Sequence, residues 1–320
     1  MNHTPYFVQI NQAFDISAPD DVVVEGFSSD ATLPGIPTKQ DDYQFRREAL
    51  RDVLAFLSAP QGDGLFLTGP TGSGKTSLIN QVAARLNWPV QQVTGHGHLE
   101  LSDLIGYPGL DNGSMTFLPG PLTCAMEQGC LFLLDEIDLI DPSVLAGLNS
   151  VLEGGQLMLT QSQGRIIQPH PMFRIIVTAN SVGQGDTTGL YQGVLRQNLA
   201  FMDRFRVTIV DYAGCQTELA LLETVTPELP VELRKKMRKV ANEVRRLFTG
   251  DDSSSPQLTI TFSTRTLLRW ARLTLTFKGA PNAIEYALER ALTARAEPEQ
   301  RTAIHRIAED IFADHWDVNT

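Results

Sequence analysis

Gly69-Pro-Thr-Gly-Ser-Gly-Lys-Thr76 is the densest chemical signal in the chain, set between an apolar run at 65–68 and a helical spacing over 77–87. Three glycines in eight residues let backbone N–H groups curl round a compact polyanion. The helix that follows adds the positive end of its dipole. Lys75 supplies a charge that reaches the outer phosphates, and the Thr76 hydroxyl is a hard ligand suited to Mg²⁺. The pattern predicts a site for ATP and Mg²⁺ built from Gly69, Pro70, Thr71, Gly72, Ser73, Gly74, Lys75, Thr76 and Ser77.

Sixty residues after Lys75, the apolar run Leu131-Phe-Leu-Leu ends in Asp135 and Glu136. An unpaired carboxylate at the end of a buried strand is costly unless something binds it. A metal and a water are what a phosphate site would provide. Asp135 is therefore expected to hold Mg²⁺ together with Thr76, and Glu136 to orient or deprotonate the attacking water. A third apolar strand, Arg174-Ile-Ile-Val-Thr-Ala-Asn180, ends in a neutral amide that can bond the γ-phosphate or the water without adding charge. Arg204, in Phe201-Met-Asp-Arg-Phe-Arg206, precedes the last strand; arginine suits charge developing on a transferred phosphoryl group. Arg265, in Ser263-Thr-Arg265, opens a helix from which it could also contact nucleotide.

The elements that must position these residues are short apolar runs alternating with helical stretches, the signature of a parallel sheet covered by helices. Strands are expected at 65–68, 90–94, 131–134, 175–179 and 207–210, preceded by a helix over 44–57. After about residue 212 only helical periods remain, near 215–224, 231–248, 264–277, 282–294 and 299–314. A loop with Asp251, Asp252 and three serines interrupts them at 250–256. The organisation expected is an N-terminal arm (1–40), an α/β core (41–212) with a five-stranded parallel sheet, and an all-helical lid (213–320).

Composition narrows the function classes. With 320 residues and 42% hydrophobic content the chain can bury two cores. No stretch reaches the roughly 20 apolar residues of a membrane helix, and MNHTPYFVQI lacks the order of a secretion signal, so the expected location is cytoplasmic without membrane association. A net charge of -11 argues against nucleic acid as a partner. The basic segment 234–246 is expected to be a solvated helix face or a subunit contact. Cys124, Cys130 and Cys215 have no ligand spacing and read as packing residues, and His96 and His98 lack the further ligands a metal would need.

In this order, phosphate loop, acid pair, Asn180, Arg204 and Arg265, the motifs resemble the AAA+ superfamily. Two inserted stretches, 103–120 and 157–171, the second with Gly164 at a hairpin turn, are similar to the helix-2 insert and pre-sensor hairpin of its MoxR and chelatase group. Strings such as Gln81-Val-Ala-Ala-Arg-Leu-Asn-Trp-Pro89, Pro169-His-Pro-Met-Phe173 and Gly185-Asp-Thr-Thr-Gly-Leu-Tyr191 resemble the small ATPase subunits of aerobic cobaltochelatases. The resemblance implies a homo-oligomeric ring, a hexamer, with ATP between subunits. It also implies that Arg204 acts in trans as an arginine finger and that Arg265 is a second sensor. The partner it implies is a protein of von Willebrand factor A type or a chelatase subunit, remodelled at the expense of ATP. A second reading stays open, in which nucleotide only organises a ring for partner docking with little turnover.

Overall fold

The computed structural model describes residues 6–28, 33–111, 114–181, 193–249 and 258–313. It divides into two compact units, an α/β unit that runs to Gly69 and from Gly74 to Val210, and a helical unit of Pro70–Ser73 and Asp211–Thr320.

In the α/β unit, five parallel strands form the central sheet: β1 (Gly64–Thr68), β2 (Val90–Thr94), β3 (Leu131–Asp135), β4 (Arg174–Ala179) and β5 (Phe205–Ile209). Their order across the sheet is β5, β1, β4, β3, β2, so β1 and β4 are neighbours in the middle. The last strand begins at Phe205, two residues before the position expected from sequence, because Phe205 pairs with Gly64 at the start of β1. Strand alternation divides the apolar residues between two faces. Leu131, Leu133 and Ile176 pack with Leu78 and Val82 of the helix Lys75–Arg85. Phe132, Leu134, Ile175 and Val177 pack on the other face with Leu122 and Met126. By the same period of two, Asp135, Thr178 and Asn180 continue the face covered by the helix Lys75–Arg85.

Two antiparallel hairpins project from this unit. One pairs Gly106–Asp111 with Ser114–Pro119, and the other pairs Leu157–Leu159 with Arg165–Ile167 through a turn at Gln163 and Gly164. The N-terminal residues, which show no sustained period, nonetheless pair Tyr6–Gln9 with Val23–Gly26 and bury Phe14, Val24 and Phe27 against the core. Apolar contact made these strands: Phe14 meets Phe45 edge to face at 5.2 Å.

The helical unit contains the helices Cys215–Val225, Val231–Thr249, Thr264–Thr276, Ala283–Ala291 and Pro298–Phe312 around Trp270, Phe262 and Phe312. The fourth stops three residues short of the span expected from periodicity. Thr293 is fully buried in the short turn that follows, and its hydroxyl lies 2.8 Å from His305 Nε2. The basic helix is not wholly a solvated face. Arg245 is buried in a two-point ion pair with the fully buried Glu218, and Arg234 is buried as well, while Lys235, Lys239 and Arg246 are exposed. Of the cysteines, Cys130 is buried and Cys124 half-buried, but Cys215 is exposed and does not pack. The expected loop 250–256 and the string Gly185–Tyr191 lie outside the described residues. Among those described, no helix is long and apolar enough to cross a membrane, and no three His, Cys, Asp or Glu side chains are grouped as a metal site.

Candidate active site

Backbone geometry comes first. A Cβ at Gly69 would stand 2.2 Å from the Val210 carbonyl oxygen, and Gly74 caps the helix Lys75–Arg85 with φ +92°, so neither position accepts a side chain without strain. The loop thus delivers Lys75 and Thr76 in the first turn of a helix that leaves the C-terminal end of β1.

Lys75 is only 8% exposed. Its Nζ donates to the Gly69 carbonyl at 2.7 Å and to Asn180 Oδ1 at 3.0 Å. Burial pulls its pKa down to about 8, against the opposing pull of Asp138, Asp135 and Glu136. The Thr76 hydroxyl donates to Asp135 Oδ1 at 2.7 Å, which joins the helix to the end of β3. Glu136 follows in a left-handed backbone conformation (φ 59°, ψ 48°) that is uncommon for a residue with a side chain. Thus Lys75, Thr76, Asp135, Glu136 and Asn180, all singled out from sequence, gather at the C-terminal edge of β1, β3 and β4.

Arg204, also singled out from sequence, lies elsewhere in the α/β unit. Arg204 precedes β5 at the opposite edge of the sheet, and its carbonyl accepts from Gly64 N–H at 2.9 Å. Gly64 begins β1 and Gly69 follows its end, so at about 3.3 Å per residue Arg204 is roughly 16 Å from its own phosphate loop. Its guanidinium instead bonds Glu153 and the Ala200 carbonyl. Arg265 is exposed in the first turn of Thr264–Thr276, whose start is capped by Ser263 accepting from Thr266 N–H at 3.1 Å.

Three residues of the site were not singled out from sequence. Asp138 is fully buried, accepts from the Asn180 backbone N–H at 2.8 Å, and has its carboxyl pushed up by burial against the N–H groups of Asn180 and Ser181. Thr178 accepts from Glu136 N–H at 3.1 Å and donates to Asp135 Oδ1. Arg46 comes within 3.5 Å of where a Cβ on Gly74 would stand, and it bonds the Tyr43 side chain. Only Thr178 left a trace in the sequence, as the one hydroxyl within the apolar run of β4.

The donor set fits ATP and Mg²⁺. Thr76 and Asp135 offer a pair of hard oxygens in direct contact, Lys75 is a desolvated cation facing three carboxyls, and Ser73 Oγ is buried without a hydrogen-bond partner among the described residues.

Comparison with known proteins gives the family. The family model for the AAA domain of the dynein-related subfamily matches residues 64–205, and that for the CbbQ/NirQ/NorQ C-terminal region matches residues 218–311. The aerobic cobaltochelatase subunit CobS of Sinorhizobium sp. is 34% identical over 264 residues, 78% of this chain and 77% of that protein. Midasin of Giardia intestinalis is 32% identical over 156 residues, 48% of this chain but 3% of midasin. With the five-stranded parallel sheet, the phosphate loop and the helical C-terminal region in place, the chain belongs to the MoxR and cobaltochelatase group of AAA ATPases.

Proposed function

We propose that this chain is the ATP-hydrolysing subunit of a homo-oligomeric ring, hexameric by analogy with its group, that uses Mg²⁺-dependent turnover to remodel a partner protein. The observation that carries the reading is a division of labour. Lys75, Thr76, Asp135 and Asn180 are hydrogen-bonded together at one edge of the sheet, whereas Arg204 stands at the other. A site with Lys75, Thr76, Asp135, Glu136 and Asn180 in cis and Arg204 out of reach is complete only when a second subunit supplies the arginine.

In this reading the glycine loop and Lys75 bind the phosphates, and Asn180 orients the terminal one or the water. Thr76 and Asp135 are the residues that would hold Mg²⁺, whose charge would offset that on the phosphate oxygens. Glu136 accepts a proton from the water as it attacks, and Arg204 from the adjacent subunit stabilises the charge that develops. Arg265 contributes a second cation that reads the nucleotide. The partner is a protein of von Willebrand factor A type or a large chelatase subunit, the latter suggested by similarity to CobS.

The test uses Glu136→Gln. It should bind ATP, fail to hydrolyse it and remain assembled, so that its mass in solution rises with ATP and stays high. A variant that is monomeric with and without ATP, or a wild-type protein with no Mg²⁺-dependent turnover at high concentration, overturns the proposal.

A further inference from the structure

Thr178 is a fully buried polar residue in β4, Arg174–Ala179, whose other residues after Arg174 are apolar. Valine would fit such a position with no hydroxyl to satisfy, and the same strand carries Val177 one residue earlier. The hydroxyl is used twice. Its oxygen accepts from the backbone N–H of Glu136 at 3.1 Å, and its hydrogen is donated to Asp135 Oδ1. One side chain on the Asn180 strand therefore grips both members of the acid pair on the neighbouring strand.

The grip falls where the backbone is least content. Glu136 holds a left-handed conformation that is strained for a residue with a side chain. Asp135 Oδ1 also accepts from Thr76, so two hydroxyls, from β4 and from the helix Lys75–Arg85, fix the rotamer of one carboxylate. Register explains why Thr178 can do this: Val177 pairs with Leu134, which sets Thr178 level with Asp135 on the same face of the sheet. Two residues further along, Asn180 gives its own N–H to Asp138 at 2.8 Å, a second tie between the same two segments.

We infer that Thr178 is a positioning residue for the ATPase site, whose hydroxyl sets the Asp135 carboxylate for Mg²⁺ and pins Glu136 in its left-handed turn, so that the acids and Asn180 move as one body. The inference rests on the ATPase reading above.

Its test compares Thr178→Val, which keeps the shape, with Thr178→Ser, which keeps the hydroxyl. Thr178→Ala serves as a second deletion should the valine variant not fold. Two quantities are measured on the intact protein: turnover, and the Mg²⁺ concentration at half-saturation for binding a non-hydrolysable ATP analogue. Removing the hydroxyl should lower kcat roughly ten- to a hundredfold, about the worth of one hydrogen bond to a charged group. It should raise the Mg²⁺ requirement several-fold and leave analogue binding at saturating Mg²⁺ within about threefold of wild type. Thr178→Ser should restore both. Wild-type kcat and Mg²⁺ dependence in the valine variant overturn the inference. So does a serine variant as impaired as valine, which would assign the effect to the lost methyl group. If the wild-type protein shows no turnover, the ATPase reading fails by itself, and Mg²⁺-dependent analogue binding still decides the role of Thr178.

Discussion

At the C-terminal edge of the central sheet, Lys75 donates to Asn180, and Asp135 accepts from both Thr76 and Thr178. At the N-terminal edge, Arg204 and Arg206 are held by Glu153 and Asp63 in ion pairs that water reaches, with 59% and 41% of the two acid side chains exposed. The first arrangement is held by part-buried hydrogen bonds in which Lys75 or the Asp135 carboxylate takes part, and bonds to charged groups are the stronger kind. The second is loose, since exposed pairs contribute only about 0–1 kcal/mol. On the proposed reading, the groups that act within the subunit are fixed in advance, whereas Arg204, proposed to act in a neighbouring subunit, rests where release is easy.

The sharpest way to break that contrast is Arg204→Ala. If the arginine acts in trans, kcat should fall by about 10³–10⁵, the worth of an arginine finger, with analogue affinity nearly unchanged. Mixing Arg204→Ala with Lys75→Ala subunits should restore part of the turnover, because some interfaces then pair an intact loop with an intact arginine. Lack of any recovery in the mixture, with both variants folded and assembled, would place the arginine's role within its own chain.

Glu136→Gln probes the rigid edge. It should lower kcat by about 10²–10⁴, the range of a general base, while Kd for ATP stays within a few-fold of wild type. Stopped-flow binding and steady-state turnover separate the two effects. A large rise in Kd would mean that Glu136 holds the nucleotide rather than the water.

How much of this was legible in the sequence follows from the range of the interactions. The phosphate loop and the acid pair are written in consecutive residues, and the five strands are apolar runs, so both could be read directly. That Arg204 lies far from its own loop depends on the pairing of Phe205 with Gly64, a register no local pattern reveals. Burial of Arg245 likewise depends on Glu218, 27 positions away, so helical periodicity alone left it on a charged face. The N-terminal strands have four residues each, too few for an alternation to stand out, and they exist because Phe14 and Val24 find the core. Thr178 has a residue type common in strands, and only its neighbours give it a function.

A smaller effect concerns pH at the rigid edge. Lys75 must be charged to meet phosphate, and burial sets its pKa in the free protein at about 8. Analogue affinity should therefore be flat below pH 8 and fall as pH rises above it, approaching tenfold per unit until bound phosphate no longer supplies the proton's binding energy. Calorimetry in two buffers at pH 8.5 should show proton uptake on binding. The linkage to folding has a definite sign: the folded pKa lies below the ordinary 10.5, so between about 8 and 10.5 the unfolded chain binds more protons, and this residue's contribution to stability rises with pH. An affinity that is constant from pH 7 to 9.5 would show that Lys75 stays charged despite its burial.

The smallest expected effect is at the loose edge. Glu153→Ala removes the acid that holds Arg204, a pair whose arginine side chain is 25% exposed and whose glutamate is 59% exposed. Water and salt screen such a contact, so stability should change by less than about 1 kcal/mol. Turnover should stay within about twofold of wild type, since Arg204 would lose only its resting place. Thermal melts and steady-state rates on the same preparation suffice. If turnover instead fell as far as in Arg204→Ala, Glu153 would be aiming the guanidinium at the neighbouring subunit. The N-terminal edge would then be as preorganised as the phosphate site, and the difference in rigidity between the two edges would not mark which groups act in cis and which in trans.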